Sequence, residues 1–385
     1  MDSPIRVLQV TIGDGNYGGV ASFLYAYYSH MDRSRVHFDF LYCGENSMQS
    51  KEEDPVLKES TITTLHIMKR NNNGFTEYKK LISALKKIFD EKQYDIVHVN
   101  SSNIYLNACV AYVLKGQKAY IAHSHNTQST IIYGSKAKHV LKKAISGCIR
   151  TFVVNRADAL FACSDEAGKY LFGNRGIKSR KYSVINNAID TKRFSFDIEK
   201  RKKLRGAEDK LIIGFVGRLS PQKNPMFVIE VFAELLKRKA DAVLWIVGEG
   251  ELQDQVEARI MELNLQEKIY LLGRRNDVAD IMQAMDAMVF PSVYEGFGIA
   301  VVEAQCAGLT VVASDVVPQS TNVTGLVTYL SLKESAVYWA DELIRLLSQS
   351  KERSDKSEYL KEAEFDIDTE AKKLVKYYYD LIAQH

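Results

Sequence analysis

Two glutamates and two nearby glycines mark the segment PSVYEGFGIAVVEAQCAG, which directly follows an apolar run. Glu295 precedes both glycines, and Glu303 lies on the helix that the pattern predicts after them. Glycine lets a ligand approach the backbone closely, and the amides of the first helical turn, at about 297–299, can donate to phosphate or sugar hydroxyls. The segment therefore predicts a binding site for a phosphorylated or polyhydroxylated ligand.

The spacing of Glu295 and Glu303 favours binding over hydrolysis. Eight helical residues span about 12 Å, whereas glycoside hydrolases hold their two carboxyl groups roughly 5 Å apart when retaining and less than about 10 Å apart when inverting. A helix rises roughly 9 Å from Phe297 to Glu303, which is comparable with the hexose-to-ribose separation in an extended sugar nucleotide. The two carboxylates can thus accept hydrogen bonds at opposite ends of one ligand. The alternative is that both are solvated charges on a helix face.

Two cations flank a strand end in the segment GFVGRLSPQKNP. Arg218 ends the predicted strand, and Lys223 stands just before Asn224 and Pro225, which are favoured at the N-cap and at the first helical position. A guanidinium, an ammonium and a helix N-terminus can converge on a diphosphate. The alternative is a surface loop with two incidental cations.

A glycine pattern G-x-G-x-x-G follows the apolar run IRVLQVTI, at Gly13, Gly15 and Gly18. This pattern is typical of dinucleotide-binding turns, but it equally suits another phosphate compound. A nicotinamide enzyme also needs an acid near the end of the second strand to bind the ribose. Asp39 falls inside that strand and Glu45 beyond it, so the sequence fits this function only loosely.

Composition restricts the class of protein. The chain has 385 residues, 46% of them hydrophobic, which is enough for two domains of medium size. A net charge of +3 gives no reason to expect a nucleic-acid partner. The five cysteines form no C-x-x-C pair, so we expect a reducing cytosol and neither a zinc site nor a disulfide framework. The first residues lack a secretory signal pattern, and no apolar run has the length of a membrane span.

Apolar strands alternate with amphipathic helices along nearly the whole chain. Runs such as DIVHVN and AYIAHS in the first half, and KLIIGFVG and DAMVFPS in the second, are apolar throughout, as in parallel sheets covered on both faces. We predict an α/β fold of two doubly wound Rossmann-like domains that face a cleft, covering 1–190 and 191–368. A final helix at 369–385 is expected to pack back on the first domain.

The motifs GRLSPQKN, VGEGEL, PSVYEGFGIAVVEAQCAG and VVASD, in this order, resemble the donor-binding half of the retaining glycosyltransferases of family 4, which have the GT-B architecture. Glu295 and Glu303 match the E-x7-E motif of that family. IAHSHNT and ACSDEAGKYLFG are similar to segments of transferases in bacterial capsule and exopolysaccharide assembly. VINNAID departs from the family, because Asn186 and Ala188 stand where proline and glycine are common.

The resemblance implies a role for each matching residue. Arg218 and Lys223 would bind the donor diphosphate and stabilise it as the leaving group, Glu295 would hold the donor sugar, and Glu303 would bind the ribose hydroxyls. Arg274 and Arg275 would line the base pocket, mainly through their backbone. The implied donor-binding residues are Gly18, Gly19, Arg218, Lys223, Arg274, Arg275, Glu295, Gly296, Phe297, Gly298, Ile299 and Glu303.

Two histidines lie at the end of the strand AYIAHS. A histidine there can contact the transferred sugar or the acceptor, although most histidines in apolar strands are simply packed. The family has one histidine before a small or polar residue at this strand end, which His125, before Asn126, matches better than His123. We therefore expect His125, with Arg218, Lys223 and Glu295, to belong to the catalytic group.

The segment 136–150 predicts an amphipathic basic helix, with Lys136, Lys138, Lys142, Lys143 and Arg150 opposite Val140, Leu141, Ile145 and Ile149. Such a helix is either an ordinary surface helix or a patch that binds anionic lipid. We expect a cytoplasmic protein, and the second alternative would place it at the inner face of the cell membrane.

The function expected from these features is hexose transfer from a nucleotide-diphosphate sugar, with UDP as the favoured nucleotide, to a lipid-linked or oligosaccharide acceptor. No cofactor and no metal are expected, because the D-x-D pattern at Asp366 and Asp368 reads better as acids at a helix start. A sugar-nucleotide epimerase or phosphorylase of the same fold remains an alternative. An NAD-dependent dehydrogenase and a catalytically silent sugar-nucleotide-binding module follow it.

Overall fold

The computed structural model describes residues 3–12, 19–44, 56–67, 75–114, 119–126, 136–205, 210–238, 241–349 and 352–384, with the side chains of 75 and 136–144 left out. The chain divides into two compact units. The first comprises Met1–Ala188 with Ile367–His385, and the second comprises Ile189–Asp366. The division lies two residues before the sequence-based boundary at 190, and the C-terminal segment belongs to the first unit.

Each unit contains a parallel β-sheet. The strands are β1 (Ile5–Ile12), β2 (Val36–Cys43), β3 (Ile62–Leu65), β4 (Ile96–Asn100), β5 (Ala119–Ser124), β6 (Ala159–Ala162), β7 (Tyr182–Val184), β8 (Leu211–Val216), β9 (Ala242–Val247), β10 (Ile269–Gly273), β11 (Ala287–Phe290), β12 (Thr310–Ser314) and β13 (Val327–Leu330). The strand order is β3-β2-β1-β4-β5-β6-β7 in the first sheet and β10-β9-β8-β11-β12-β13 in the second. In both sheets the strand order reverses beside the first strand, as in doubly wound folds.

Helices connect most of these strands. They are α1 (Gly19–Ser29), α2 (Phe75–Glu91), α3 (Ile104–Val113), α4 (Lys136–Arg156), α5 (Asp165–Ile177), α6 (Thr191–Phe194), α7 (Ile198–Arg205), α8 (Pro225–Leu236), α9 (Gln253–Glu262), α10 (Val278–Ala284), α11 (Ile299–Cys306), α12 (Ala336–Gln349), α13 (Ser357–Glu362) and α14 (Ile367–Ile382). A short 3-10 helix spans Gln319–Thr321. Because the helices cover both faces of each sheet, the strands can be apolar on both sides.

Helix α14 supplies part of the core of the first unit. Tyr378 and Leu374 are buried in one cluster with Phe23 and Phe38, on the face of the sheet that α1 also covers. A second cluster, around Leu85 and neighbouring apolar residues, lies on the other face. The aromatic side of the C-terminal helix, expected to be buried, therefore packs on the first unit.

The segment after residue 190 contains two helices that its charged sequence did not predict. Arg201 on α7 donates to the carbonyls of Gln283 at 2.9 Å and Met285 at 2.6 Å, where α10 ends. Arg353 donates to the same two carbonyls. Burial lowers the pKa of Arg353 to about 9. Arg201 and Arg353 thus satisfy carbonyl groups that would otherwise be unpaired at the C-terminus of α10.

Among the described residues, no helix is long and apolar enough to cross a membrane. All five cysteines lie in described segments and form no disulfide; Cys148 is exposed, and the others are buried.

Candidate active site

The loops after β8 and β9 pack against each other through glycines. Gly248 has φ +133°, and a Cβ added to it would collide with the carbonyl oxygen of Gly217. A Cβ on Gly250 would likewise collide with the carbonyl of Leu219. Leu219 in turn donates its amide to the carbonyl of Glu249 at 3.0 Å. Only glycine permits this backbone contact, which brings the loop that carries Arg218 beside the loop after β9.

Arg218 pairs with a carboxylate that the sequence did not single out. Its Nε donates to Oε2 of Glu251 at 3.0 Å, and the Arg218 side chain is 56% exposed. Glu251 belongs to the VGEGEL segment that carries part of the family resemblance, but its pairing with Arg218 depends on the tertiary contact. The guanidinium of Arg218 is therefore both accessible and already neutralised.

Lys223 is held between Glu295 and an aromatic ring. Its ammonium contacts the carboxylate of Glu295 and lies 4.7 Å from the centre of the Phe290 ring. The neighbouring backbone fixes this approach, because Val293 donates its amide to the carbonyl of Gln222 at 2.8 Å. The loops after β8 and β11 thus bring together two residues that the sequence placed in separate motifs.

Asn224 stands at the N-cap position, as predicted, but it does not cap the helix with its side chain. Asn224 has φ 54° and ψ 51°, in the left-handed region, and its side chain makes no capping hydrogen bond. Its amide instead donates to the carbonyl of Ser220 at 3.1 Å, which closes a tight turn before the helix. Pro225 is the first helical residue, as expected.

The helix that follows Glu295 and the two glycines begins later than the sequence predicted. Gly298 has φ 94° at the N-cap, and α11 begins at Ile299. Phe297 therefore lies outside the helix, and its buried ring stacks on Phe365 at 5.4 Å. The first-turn amides begin at Ile299 and not at Phe297. The structure does not test the donor-binding roles that the family resemblance implies for Gly296, Gly298 and Ile299, so these roles stay predictions.

Glu303 combines partial exposure with an elevated pKa. Within the described part of the chain, its carboxylate accepts no hydrogen bond, and burial raises its pKa to about 7. Arg193 acts in the opposite direction and lowers this pKa. Such a carboxylate has its acceptor capacity available for the hydroxyls of a ligand.

Arg193 is a site residue that sequence reasoning missed. Its guanidinium contacts the carbonyl of Asn276, in the loop after β10 where Arg274 and Arg275 were expected to line the base pocket. Arg275 forms an ion pair with Asp277 at 2.6 Å, and the Arg274 amide donates to Glu249 at 3.3 Å. The only available signal was the position of Arg193 just after the domain boundary. The structure does not test the roles of Arg274 and Arg275.

Of the glycines that the sequence predicted to approach a phosphate in the first loop, the structure describes only Gly19. Gly13, Gly15 and Gly18 lie outside the described residues. Gly19 begins α1, and a Cβ added to it would meet nothing within 4 Å.

Asp39, the acid that a nicotinamide enzyme would need, is fully engaged. Its carboxylate accepts from the Thr61 amide at 2.7 Å, from Tyr94 at 3.0 Å and from Arg6 at 3.1 Å. Burial acts to raise the pKa of Asp39, but His37, the Thr61 amide, Tyr94 and Lys92 together hold it well below the usual range. Asp39 is 1% exposed, so it cannot serve as a ribose ligand without losing these bonds. Glu45 lies outside the described residues.

The two histidines occupy different positions in the first unit. His123 lies within β5 and is fully buried, whereas His125 follows the strand and its Nε2 lies 3.0 Å from the acceptor Oδ1 of Asn100. Their rings lie 3.9 Å apart. Phe23 of α1 packs against both rings.

Arg150 does not belong to a lipid-facing cationic patch. Its guanidinium donates to the carbonyls of Leu171 at 3.0 Å and Tyr170 at 3.3 Å, beside a kink in α5 at Gly173. Arg150 thus satisfies carbonyls of the neighbouring helix. The predicted apolar face of α4 does not pack as a single surface. Ile149 packs on the core, whereas Ile145 is 47% exposed. The side chains of Val140, Leu141 and the lysines at 136, 138, 142 and 143 lie outside the described set.

The two acids of the D-x-D pattern have separate protein partners. Asp366 accepts from the Thr191 hydroxyl at 2.5 Å, and Asp368 lies 3.9 Å from His30. In the part of the chain that the structure describes, no three His, Cys, Asp or Glu side chains are grouped so as to hold a metal ion.

Comparison with known proteins establishes the class. Residues 196–363 match the family Glycosyl transferases group 1, and residues 17–193 match Glycosyltransferase Family 4. The putative glycosyltransferase EpsF of Bacillus subtilis is 30% identical over 93% of this chain and 91% of its own length. An Escherichia coli UDP-Gal:alpha-D-GlcNAc-diphosphoundecaprenol alpha-1,3-galactosyltransferase is 30% identical over 72% of this chain and 71% of its own.

Solved structures agree on the fold. The Anabaena protein HepE, in complex with UDP and glucose, covers 97% of this chain and 99% of its own with a TM-score of 0.69 and 18% identity. The chain belongs to the GT-B glycosyltransferases of family 4 and resembles transferases of exopolysaccharide synthesis. The sequence-based expectations of two Rossmann-like domains and of glycosyltransferase activity are confirmed.

Proposed function

We propose that this protein is a retaining, metal-independent hexosyltransferase that uses a UDP-sugar. Its acceptor is a lipid-linked or oligosaccharide precursor of bacterial capsule or exopolysaccharide. The observation that carries the proposal is the arrangement after β8, where Arg218 and Lys223 are each held against a carboxylate at adjoining loops. Two positioned cations beside sugar-binding carboxylates suit a ligand with a diphosphate at its centre.

The proposed chemistry is departure of UDP from the anomeric carbon of the sugar. Arg218 and Lys223 exchange their carboxylate partners for diphosphate oxygens, so that the charge developing on the leaving group is neutralised. Release of Lys223 leaves Glu295 able to accept hydrogen bonds from the donor sugar. Glu303 accepts from the ribose hydroxyls.

The family resemblance implies a front-face route. In it a leaving phosphate oxygen takes the proton of the acceptor hydroxyl while the new glycosidic bond forms on the same face of the sugar. Retention of configuration follows without a covalent intermediate on the protein. The relatives support the substrate classes, because the E. coli enzyme is named for UDP-Gal and a diphosphoundecaprenol acceptor, and HepE is seen with UDP and glucose.

Product analysis tests this proposal. Purified protein is incubated with a panel of UDP-, GDP- and ADP-sugars and a diphosphoundecaprenol-linked sugar, with and without a chelator, and nucleotide release and product configuration are measured. We expect UDP release that the chelator does not abolish and a product with the donor's anomeric configuration. An inverted product would contradict retention, and chelator-sensitive activity would contradict metal independence.

The same assay separates the alternatives. An epimerase would convert the UDP-sugar without an acceptor, a phosphorylase would require inorganic phosphate, and a dehydrogenase would change the absorbance of NAD(P)H. The engagement of Asp39 by Thr61, Tyr94 and Arg6 weighs against the dehydrogenase.

We also propose that the exposed side of α4 binds anionic membrane. Ile145 is 47% exposed and Phe152 is 41% exposed, one above the other on the helix and with Cys148 between them. The sequence adds four lysines between positions 136 and 143. Apolar residues that enter the acyl boundary next to lysines that meet lipid phosphates are typical of interfacial helices.

Vesicle sedimentation tests the membrane contact. Wild type should bind vesicles that contain phosphatidylglycerol, bind phosphatidylcholine vesicles less, and dissociate as salt is raised. The double variant Ile145→Ser with Phe152→Ser should lose binding. A matched control is Met261→Ser with Tyr359→Ser, which removes two more strongly exposed apolar residues elsewhere, at 62% and 54% exposure. Absent or salt-independent binding would contradict the proposal.

A further inference from the structure

A buried hydrogen-bond network lies at the carboxyl end of the first sheet. It joins Gln9 of β1, His98 and Asn100 of β4, and Tyr378 of α14, each no more than 1% exposed. It extends to the two histidines at the end of β5. Two ring nitrogens, Nε2 of His123 and Nδ1 of His125, are buried and have no hydrogen-bond partner among the described residues. Every other ring nitrogen of these three histidines is engaged.

The orientation of the Asn100 amide is fixed by a backbone carbonyl. Its nitrogen donates to the carbonyl of His98 at 3.2 Å and to Oε1 of Gln9 at 2.7 Å. A backbone carbonyl can only accept, so Oδ1 is the Asn100 atom that faces Nε2 of His125 at 3.0 Å. Nε2 of His125 therefore carries the proton. In the neutral ring Nδ1 then has a free lone pair, and burial keeps the ring neutral by lowering its pKa to about 3.

Tyr378 fixes the remaining histidines in the same way. Since Oε1 of Gln9 faces Asn100, its nitrogen donates to the Tyr378 hydroxyl at 3.3 Å. When the hydroxyl donates its own proton to Nδ1 of His98 at 2.9 Å, Nε2 of His98 donates to Nδ1 of His123 at 3.1 Å. His123 consequently carries its proton on the unpartnered Nε2. An acceptor, Nδ1 of His125, and a donor, Nε2 of His123, thus lie at the end of β5 without a hydrogen-bond partner among the described residues.

We propose that Asn100 is a positioning residue which, supported by Gln9 and Tyr378, fixes His125 as the Nε2–H tautomer so that Nδ1 accepts a hydrogen bond from a sugar hydroxyl of the substrate. A buried nitrogen without a partner is unfavourable, and a ligand hydroxyl removes that penalty. The inference rests on the proposed function, because the hydroxyl belongs to the donor sugar or to the acceptor. It extends that function by naming the protonation state that the site requires.

Nitrogen NMR tests the tautomer independently of activity. Full-length protein labelled with 15N-histidine is examined at pH 7 by long-range 1H–15N correlation, and the His125→Gln variant assigns the His125 signals. We expect a protonated-type shift at Nε2 and an unprotonated-type shift at Nδ1. In Asn100→Ala the Nδ1–H tautomer should become populated.

Asn107→Ala is the matched control. Asn107 is also a fully buried asparagine of the first unit, where it donates to the Ser101 carbonyl at 2.8 Å and accepts from Tyr120 at 2.9 Å. Its loss should destabilise the fold to a similar extent and leave the His125 tautomer unchanged. A protonated Nδ1 in wild type, or an unchanged spectrum in Asn100→Ala, would overturn the proposal.

Kinetics identify the source of the hydroxyl. Asn100→Ala should lower kcat by about 10- to 100-fold, the loss expected for a hydrogen bond in a buried site, and leave the Kd of UDP within about twofold. If slow donor hydrolysis without acceptor falls equally, His125 binds the donor sugar; if only transfer falls, it binds the acceptor. Unchanged kcat would refute the role of Asn100. A wild type that uses no donor would refute the proposed function, while the NMR result would still decide whether Asn100 fixes His125.

Discussion

The ammonium group of Lys223 contacts the carboxylate of Glu295 across 72 residues of sequence, and both side chains are largely shielded, at 20% and 7% exposure. Each charge compensates the other at a place where water has little access. Removal of one partner therefore leaves an uncompensated charge, whereas removal of both does not.

The first prediction separates stability from catalysis at this pair. Lys223→Met should lower the free energy of unfolding by about 2 kcal/mol and weaken UDP binding at least about tenfold, because the shielded Glu295 carboxylate loses the cation beside it and the diphosphate loses the Lys223 ammonium. The double variant Lys223→Met with Glu295→Gln should recover most of the melting temperature but not the activity. Thermal melts and UDP titration calorimetry measure the two effects. Recovery of activity in the double variant would show that neither charge participates in transfer.

Glu295 alone should affect turnover more than nucleotide binding. In Glu295→Ala we expect kcat to fall by about 100-fold and the Kd of UDP to change less than about threefold, because UDP lacks the sugar that Glu295 holds. A variant that loses UDP affinity and retains kcat would contradict this assignment.

The second prediction concerns pH and Glu303. Its pKa is raised to about 7 by burial, and its ionised form accepts from the ribose. Nucleotide affinity should therefore be complete above pH 7 and decline as the pH falls through 7, by about tenfold between pH 8 and pH 6. UDP-glucose is the suitable probe, because its diphosphate is a diester that stays ionised over this interval.

Glu303→Gln provides the control for this profile. The amide cannot titrate, so binding of UDP-glucose should be weaker than in wild type at pH 8 and independent of pH down to 6. A pH dependence that persists in Glu303→Gln would assign the titration to another group.

The third prediction concerns Arg193, which lowers the pKa of Glu303 and contacts the Asn276 carbonyl. In Arg193→Gln the midpoint of the affinity profile should move to higher pH, because the carboxylate loses its nearby cation. Lys192→Gln removes the same charge from the adjacent position and should leave the midpoint in place. Equal shifts in both variants would indicate a general effect of net charge.

The sequence predicted the strands with clear apolar runs, including the edge strands β7 in KYSVI and β10 in KIYLLG, and missed β3 and β13 at the opposite edges of the two sheets. β8 and β11 are central in the second sheet; β11 is buried throughout and β8 is buried after Leu211, and their apolar runs indicated them clearly. β3 and β13 end their sheets and are half exposed, so ITTL and VTYL carry no such run. Burial on both faces is the source of the signal, and an edge strand has less of it.

The site residues that the sequence revealed are those with a local signal, and the ones that it missed depend on tertiary contacts. Glu295 and Lys223 were found because each stands next to a strand end and a helix start, which are local features. Glu251 and Arg193 were missed because their partners, Arg218 and the Asn276 carbonyl, are defined only by contacts between loops. The left-handed turn at Asn224 depends in the same way on a hydrogen bond to Ser220.

The last prediction follows from the competition of Glu251 with the ligand for Arg218. The guanidinium donates to Glu251 at 3.0 Å, and a diphosphate must replace this carboxylate before Arg218 can neutralise the leaving group. An exposed ion pair contributes about 0.2–1 kcal/mol, so Glu251→Gln should tighten UDP binding by up to about fivefold.

Glu257→Gln is the matched control for Glu251. Glu257 is an exposed glutamate on α9 that accepts from Gln253 at 2.7 Å, so its loss removes the same charge without releasing Arg218. Calorimetry at low and high salt should show a gain for Glu251→Gln that exceeds the control and shrinks as salt weakens the pair. If Glu251→Gln instead weakens UDP binding, Glu251 holds Arg218 in its binding orientation and does not compete with the phosphate. The gain in affinity should not raise kcat, because a carboxylate that returns to Arg218 after transfer also helps to expel the bound UDP.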